Sequence, residues 1–147
     1  MVVAPARDEL EATLQPVKAL NLTASYTWTP KADVTRSANA AQIGKQLTAV
    51  SEHRMSLWAD YRFANGIRVG LGARYVGSNR GYNEAAPVKV PGYTLFDAMI
   101  GYDTGPWSLA LNLRNLTDKT YIGSCLNATN CFYGDPRSVN ATGAYRW

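Results

Sequence analysis

Apolar and polar residues alternate one by one along most of this chain. Over 20–28, Leu20, Leu22, Ala24, Tyr26 and Trp28 interleave with Asn21, Thr23, Ser25 and Thr27. A period of two places each set on its own face of a β-strand. The same alternation predicts strands over 8–15, 54–63, 67–78, 93–103 and 107–116, and a terminal strand over 137–147. In the terminal strand Val139, Ala141, Gly143, Tyr145 and Trp147 oppose Ser138, Asn140, Thr142, Ala144 and Arg146. The stretches 30–50, 79–89 and 117–134 lack a sustained period and read as loops, with a few strand residues continuing over 31–34. Asn65-Gly66 suits the positive φ of a tight hairpin.

Short connections of about three residues follow the first, third and fifth strands, and long ones of roughly ten to twenty follow the second, fourth and sixth, the rhythm of periplasmic turns and external loops in an outer-membrane barrel. Rings gather near strand ends. Tyr61, Phe63, Tyr102, Trp107, Tyr145 and Trp147 all fall at the short-turn end, where an aromatic girdle meets the headgroups. Arg54, Arg62, Arg68, Arg74 and Arg114, with Asp60 and Asp97, lie on the polar face. Unpaired charges do not sit in a dry core, but they suit a wet lumen; they could pair across strands or contact a plug, and a solvated inner wall is the expectation here. Seven strands are an odd number, and an open sheet leaves edges that hydrocarbon does not tolerate. The N-terminus also lacks the charged and apolar regions of a signal peptide. Residues 1–147 are therefore expected to be the C-terminal part of a larger barrel.

The net charge of +4 is scattered rather than gathered into a basic stripe with stacking aromatics, which argues against nucleic acid as a partner. No window approaches the ~18 apolar residues of a membrane helix. Cys125 and Cys131 share one polar loop without the further ligands of a zinc site. They read as a local disulfide, with two free thiols as the alternative. His53 has no metal partner in the pattern, and no nucleophile–base–orienter set occurs, so neither a metal site nor an enzyme is expected.

The segment Arg114-Asn115-Leu116-Thr117-Asp118-Lys119-Thr120-Tyr121 resembles the Asn-Leu-x-Asp-Lys-x-Tyr segment of TonB-dependent outer-membrane receptors. Ser124-Cys125, Cys131-Phe132-Tyr133-Gly134-Asp135-Pro136-Arg137 and Tyr145-Arg146-Trp147 are similar to the ferrichrome-type siderophore receptor branch of that family. So are Ser56-Leu57-Trp58-Ala59-Asp60-Tyr61, Gly72-Ala73-Arg74-Tyr75-Val76-Gly77-Ser78 and Pro91-Gly92-Tyr93-Thr94-Leu95-Phe96-Asp97. The resemblance implies an all-β, antiparallel transmembrane β-barrel segment, seven up-and-down strands of a barrel of about 22 with a plugged lumen. It implies a ferric siderophore as transported ligand, no cofactor, and energy coupling to TonB through a plug region absent from these residues. It also implies that a Cys125–Cys131 disulfide pins the last external loop, and that Trp147, with Tyr145, belongs to a signal read by the barrel-assembly machinery in outer-membrane lipid.

A siderophore already saturates its iron, so its receptor needs aromatics and hydrogen-bond donors at the outer mouth rather than metal ligands. The candidates are Tyr82, Leu126, Phe132 and Tyr133, with Arg80 for an anionic group; rings that merely pack the loops are the alternative. The family has an aromatic after the first cysteine where this chain has Leu126, which bears on whether ferrichrome itself is the ligand. Two other functions compete: a structural or adhesive outer-membrane barrel, and a soluble ligand-binding β-barrel.

Overall fold

In the computed structural model, residues 2–38, 40, 43–45, 47–81, 88–127 and 129–147 are described, with the backbone alone for 2–6, 31 and 127. The strands are β1 (Val2–Val17), β2 (Leu20–Arg36), β3 (His53–Arg62), β4 (Ile67–Val76), β5 (Asn79–Arg80), β6 (Lys89–Val90), β7 (Tyr93–Thr104), β8 (Trp107–Arg114), β9 (Ile122–Asn127), β10 (Asn130–Tyr133) and β11 (Ser138–Tyr145). Seven of them form one antiparallel sheet in the order β1-β2-β3-β4-β7-β8-β11, and β5-β6 and β9-β10 are separate two-stranded hairpins. The seven predicted strands are the seven of the sheet. The sheet does not close on itself.

Register converts the alternation into rows. Val17, Leu20, Tyr61, Val69, Ile100, Leu111 and Ala141 follow one another from strand to strand. So do Leu14, Leu22, Ala59, Leu71, Ala98 and Leu113. Leu14, Leu57, Leu71, Ile100 and Val139 on this face are exposed, an apolar surface too continuous for water but suited to lipid. The ten residues of β3 are about 33 Å long at ~3.3 Å per residue, and a tilt of ~40° turns that into roughly the 25 Å of an apolar band. At the short-turn end Tyr61 meets Phe63 edge-on at 4.7 Å and Trp107 meets Tyr145 at 5.0 Å, the ring pairs of a girdle. Gly66 has φ +87°, as the Asn65-Gly66 turn predicts.

Three expectations need correction. The first strand begins at Val2 rather than residue 8, and the second runs unbroken to Arg36, so that 31–34, expected as a few strand residues within a loop, belong to the same strand as 20–28. Pro30 looks like a strand end, but it lies opposite Arg7, where the β1–β2 register breaks between Ala6 and Asp8, so its missing N–H falls where the ladder is already interrupted. The two loops at 79–89 and 117–134 each carry a hairpin, too short to produce a readable alternation.

The inner face is the third correction, because it is cross-linked more than merely solvated. Arg74 grips Asp97 with two bonds, Nε to Oδ2 at 2.5 Å and a terminal nitrogen to Oδ1 at 2.9 Å. Arg68 and Arg62 both reach Asp103, at 3.0 and 3.4 Å. Asn21 donates to Asp60 at 3.2 Å. The indole of Trp58 lies over the bare backbones of Gly70 and Gly72, where a Cβ would come within 2.4 Å of the ring. Among the described residues, Arg54 and Arg114 make no ion pair.

Candidate ligand-binding mouth

Burial in this chain is concentrated at the long-loop end. Among the described residues the buried apolar ones are Ala32, Val34, Val90, Leu95 and Cys125, and Thr29, Ser51, Asn79 and Asn115 are buried with them. The β2–β3 connection folds back on the projecting end of β2, with Val34 N–H donating to Lys45 O at 3.0 Å and Leu47 N–H to Ala32 O at 2.6 Å. It then meets β5, where Ala49 N–H donates to Arg80 O at 2.9 Å. Gly81, just past β5, packs on the next hairpin: a Cβ there would lie 2.8 Å from Cys125 O. Three external segments thus brace one another.

Cys125 and Cys131 are bonded, S–S 2.02 Å, and pair across β9 and β10. Phe132 follows the bonded Cys131, so strand alternation sends it to the hairpin face opposite the disulfide, whereas Leu126 lies at the register break between the Cys131–Cys125 and Asn130–Asn127 pairs. Leu126, Phe132 and Tyr133 are exposed, as is Arg80 on the neighbouring hairpin. Four of the sequence candidates therefore stand on two touching hairpins with free faces; Tyr82 lies outside the described residues. Tyr145 sits at the end of β11 and Trp147 just beyond it, at the opposite end of the sheet.

The Asn115–Tyr121 segment has a structural task. Asn115 is 2 % exposed and takes φ +51°, which its short amide side chain tolerates. Its Nδ2 donates to Lys119 O at 2.9 Å and Asp135 O at 3.2 Å, while its Oδ1 accepts Lys119 N–H at 2.9 Å. Asp118 Oδ1 accepts Arg137 N–H at 2.9 Å. The backbone N–H of Asn115 donates to Asp97 Oδ1 at 3.0 Å, joining the loop to the Arg74–Asp97 pair. Tyr121 then folds back over the inner face, its ring 4.1 Å from that of Tyr93, and fills the space a side chain at Gly134 would need.

Under Tyr121 a recess of about 210 Å³ opens on the inner wall, lined by Ser25, Thr27, Arg54, Ser56, Tyr93 and Tyr121 among others. None of these was singled out for ligand contact from sequence. The signals were present, in the Tyr121 of a recognisable segment and in an arginine on the polar face, but only the fold brings them together. His53, at the upper end of β3, accepts or donates a 2.8 Å bond with the Tyr26 hydroxyl. Among the described residues no group of three His, Cys, Asp or Glu is placed to hold a metal ion. Among the described residues no helix is long and apolar enough to cross a membrane.

Comparison with known proteins agrees with this architecture. Residues 9–116 match the family model described as TonB dependent receptor-like, beta-barrel. The ferrichrome outer membrane transporter/phage receptor of Escherichia coli strain K12 is 36% identical over 95% of this chain and 19% of its own length. The ferrioxamine receptor of Yersinia enterocolitica is 35% identical over 93% of this chain and 20% of its own. Among solved structures, the ferric-catecholate import receptor Fiu of E. coli K12 in its closed form superposes with a TM-score of 0.76 at 30% identity, covering 93% of this chain and 20% of that one. The siderophore receptor PiuA of Acinetobacter baumannii gives 0.77 at 27% identity, covering 97% and 22%. The chain spans about a fifth of the length of these relatives, which are receptors and transporters by name. With a family match across most of its sheet and an apolar outer face ringed by aromatics, this chain belongs to the TonB-dependent receptor β-barrel family of Gram-negative outer membranes.

Proposed function

We propose that this chain is the C-terminal part, about a third, of a barrel of about 22 strands that takes up ferric siderophores of hydroxamate type. The observation that carries the reading is the pair of touching external hairpins presenting Arg80, Leu126, Phe132 and Tyr133 on exposed surface above a polar inner wall. Rings and donors around a mouth fit a ligand whose iron is already saturated, and no catalytic group or cofactor is needed. The ferrichrome and ferrioxamine relatives favour hydroxamates; the catecholate receptors among the structural neighbours favour the rival ligand class. The energy for release comes from TonB acting on a plug region outside these residues, so this stretch alone supplies wall and mouth rather than transport. Tyr145 and Trp147 serve as the signal for the barrel-assembly machinery.

The test is binding by the full-length protein that carries this sequence. Ferrichrome and ferric desferrioxamine B are the hydroxamate probes and ferric enterobactin the catecholate. Saturable binding of a hydroxamate complex, with uptake lost in cells lacking TonB, is the expected result. Binding confined to the catecholate overturns the ligand class, and no binding of any complex overturns the receptor reading.

A further inference from the structure

We propose that the recess beneath Tyr121 is an anion subsite that selects siderophores carrying a free carboxylate. The inference rests on the siderophore reading above and adds to it a charge requirement on the ligand.

The lining has one uncommitted positive charge. Arg74 spends its guanidinium on Asp97, whereas Arg54, one row nearer the mouth, makes no ion pair among the described residues. Around Arg54 the recess offers hydroxyls: Ser25, Thr27, Ser56, Tyr93 and Tyr121. Ser25 and Ser56 bond to each other at 2.8 Å, and since one hydroxyl satisfies the other, one O–H of the pair remains to donate outward. Among the described residues, no carboxylate lines the recess. The nearest on β1 are Glu9, which is paired with Arg7, and Glu11, which is two strands from Ser56, about 10 Å at ~4.8 Å per strand. A guanidinium among donors, with no carboxylate among the described lining residues, is complementary to a carboxylate, which accepts the planar fork of Arg in two parallel bonds. At about 210 Å³ the recess is smaller than a site for a whole drug-sized ligand, so it takes one arm of the siderophore while the rest remains in the mouth. The Tyr93 and Tyr121 rings, tilted against each other with centroids 4.1 Å apart, form part of the wall of the recess.

The probes are two ferric trihydroxamates that differ only at one terminus: ferric desferrioxamine B, which ends in an ammonium, and its N-succinyl derivative, which ends in a carboxylate. Both are titrated against the full-length protein. The wild type binds the carboxylate complex about tenfold more tightly, the reach of one partly exposed charge-assisted pair. Arg54→Gln brings the ratio to about one by weakening the carboxylate complex alone, and Arg54→Lys keeps most of the preference. A wild-type protein that binds both complexes equally overturns the subsite and leaves the siderophore reading standing. So does an Arg54→Gln variant with an unchanged ratio. Equal weakening of both complexes also overturns it, because Arg54 then serves the barrel or a carboxylate of the protein itself. Failure of the wild type to bind either complex overturns the hydroxamate reading and the subsite with it.

Discussion

Replacing Asn115 by Ala removes three side-chain hydrogen bonds at once: two donated to Lys119 O and Asp135 O, and one accepted from Lys119 N–H. At a net ~1 kcal/mol each they sum to about 3 kcal/mol, and the site is closed to water, so the stranded groups find no substitute. Alanine must also hold φ +51°, which costs an L-residue with an apolar Cβ about 1 kcal/mol. The loop joining β8 to β11 should therefore be weakened by about 4 kcal/mol, close to a thousandfold in its opening equilibrium. Native-state hydrogen exchange on the full-length protein in detergent reads this directly. The amides of Leu116, Lys119 and Arg137, bonded to Phe96 O, Asn115 Oδ1 and Asp118 Oδ1, should exchange faster by two to three orders of magnitude, about 10² to 10³. The amides at the middle of β3 and β4 should be unaffected. Asn115→Gly separates the two causes, since it escapes the backbone strain and keeps the loss of bonds, so its effect should be smaller than that of Ala but well above zero. Unchanged protection in Asn115→Ala would falsify the view that this side chain holds the loop.

Three further outcomes follow from the geometry. The Cys125→Ser/Cys131→Ser double variant loses a cross-link six residues apart in sequence, about 2 kcal/mol by chain entropy. Limited proteolysis should then cut between the two positions while the melting of the sheet stays the same, and a matching drop in sheet stability would contradict this. Gly72→Ala drives a Cβ into the Trp58 ring, 2.4 Å away, and should cost about 1–3 kcal/mol. Trp58→Ala in the same chain should recover part of that loss, so simple additivity of the two changes counts against the packing account. Trp147 is fully exposed beyond β11; Trp147→Ala should lower outer-membrane insertion, measured by surface labelling, before it alters ligand affinity, and normal insertion with lost binding would contradict its role.

Residue alternation alone determined the seven strands, their two faces, the short and long connections, and the ring rows at the turn end. A sheet with one face in lipid and one on a polar lumen imposes a period of two on every strand, so each strand carries its own record. The segment Asn115–Tyr121 pointed to the family, but its job was not legible, because Asn115 acts on Asp135, which is remote in sequence. The tertiary structure alone decided how far β2 projects, since Pro30 is harmless only opposite the break at Arg7. It also decided which inner-wall arginines are spent. Arg54 and Arg74 look alike in sequence, yet the strand register sets Asp97 within reach of Arg74 and leaves Arg54 facing hydroxyls. Charges and rings on five separate segments become a recess only when the sheet sets their order and the loop after β8 folds Tyr121 back across it. Local pattern reports which face a residue takes, whereas its partner depends on register and on loop closure, and those are properties of the assembled sheet.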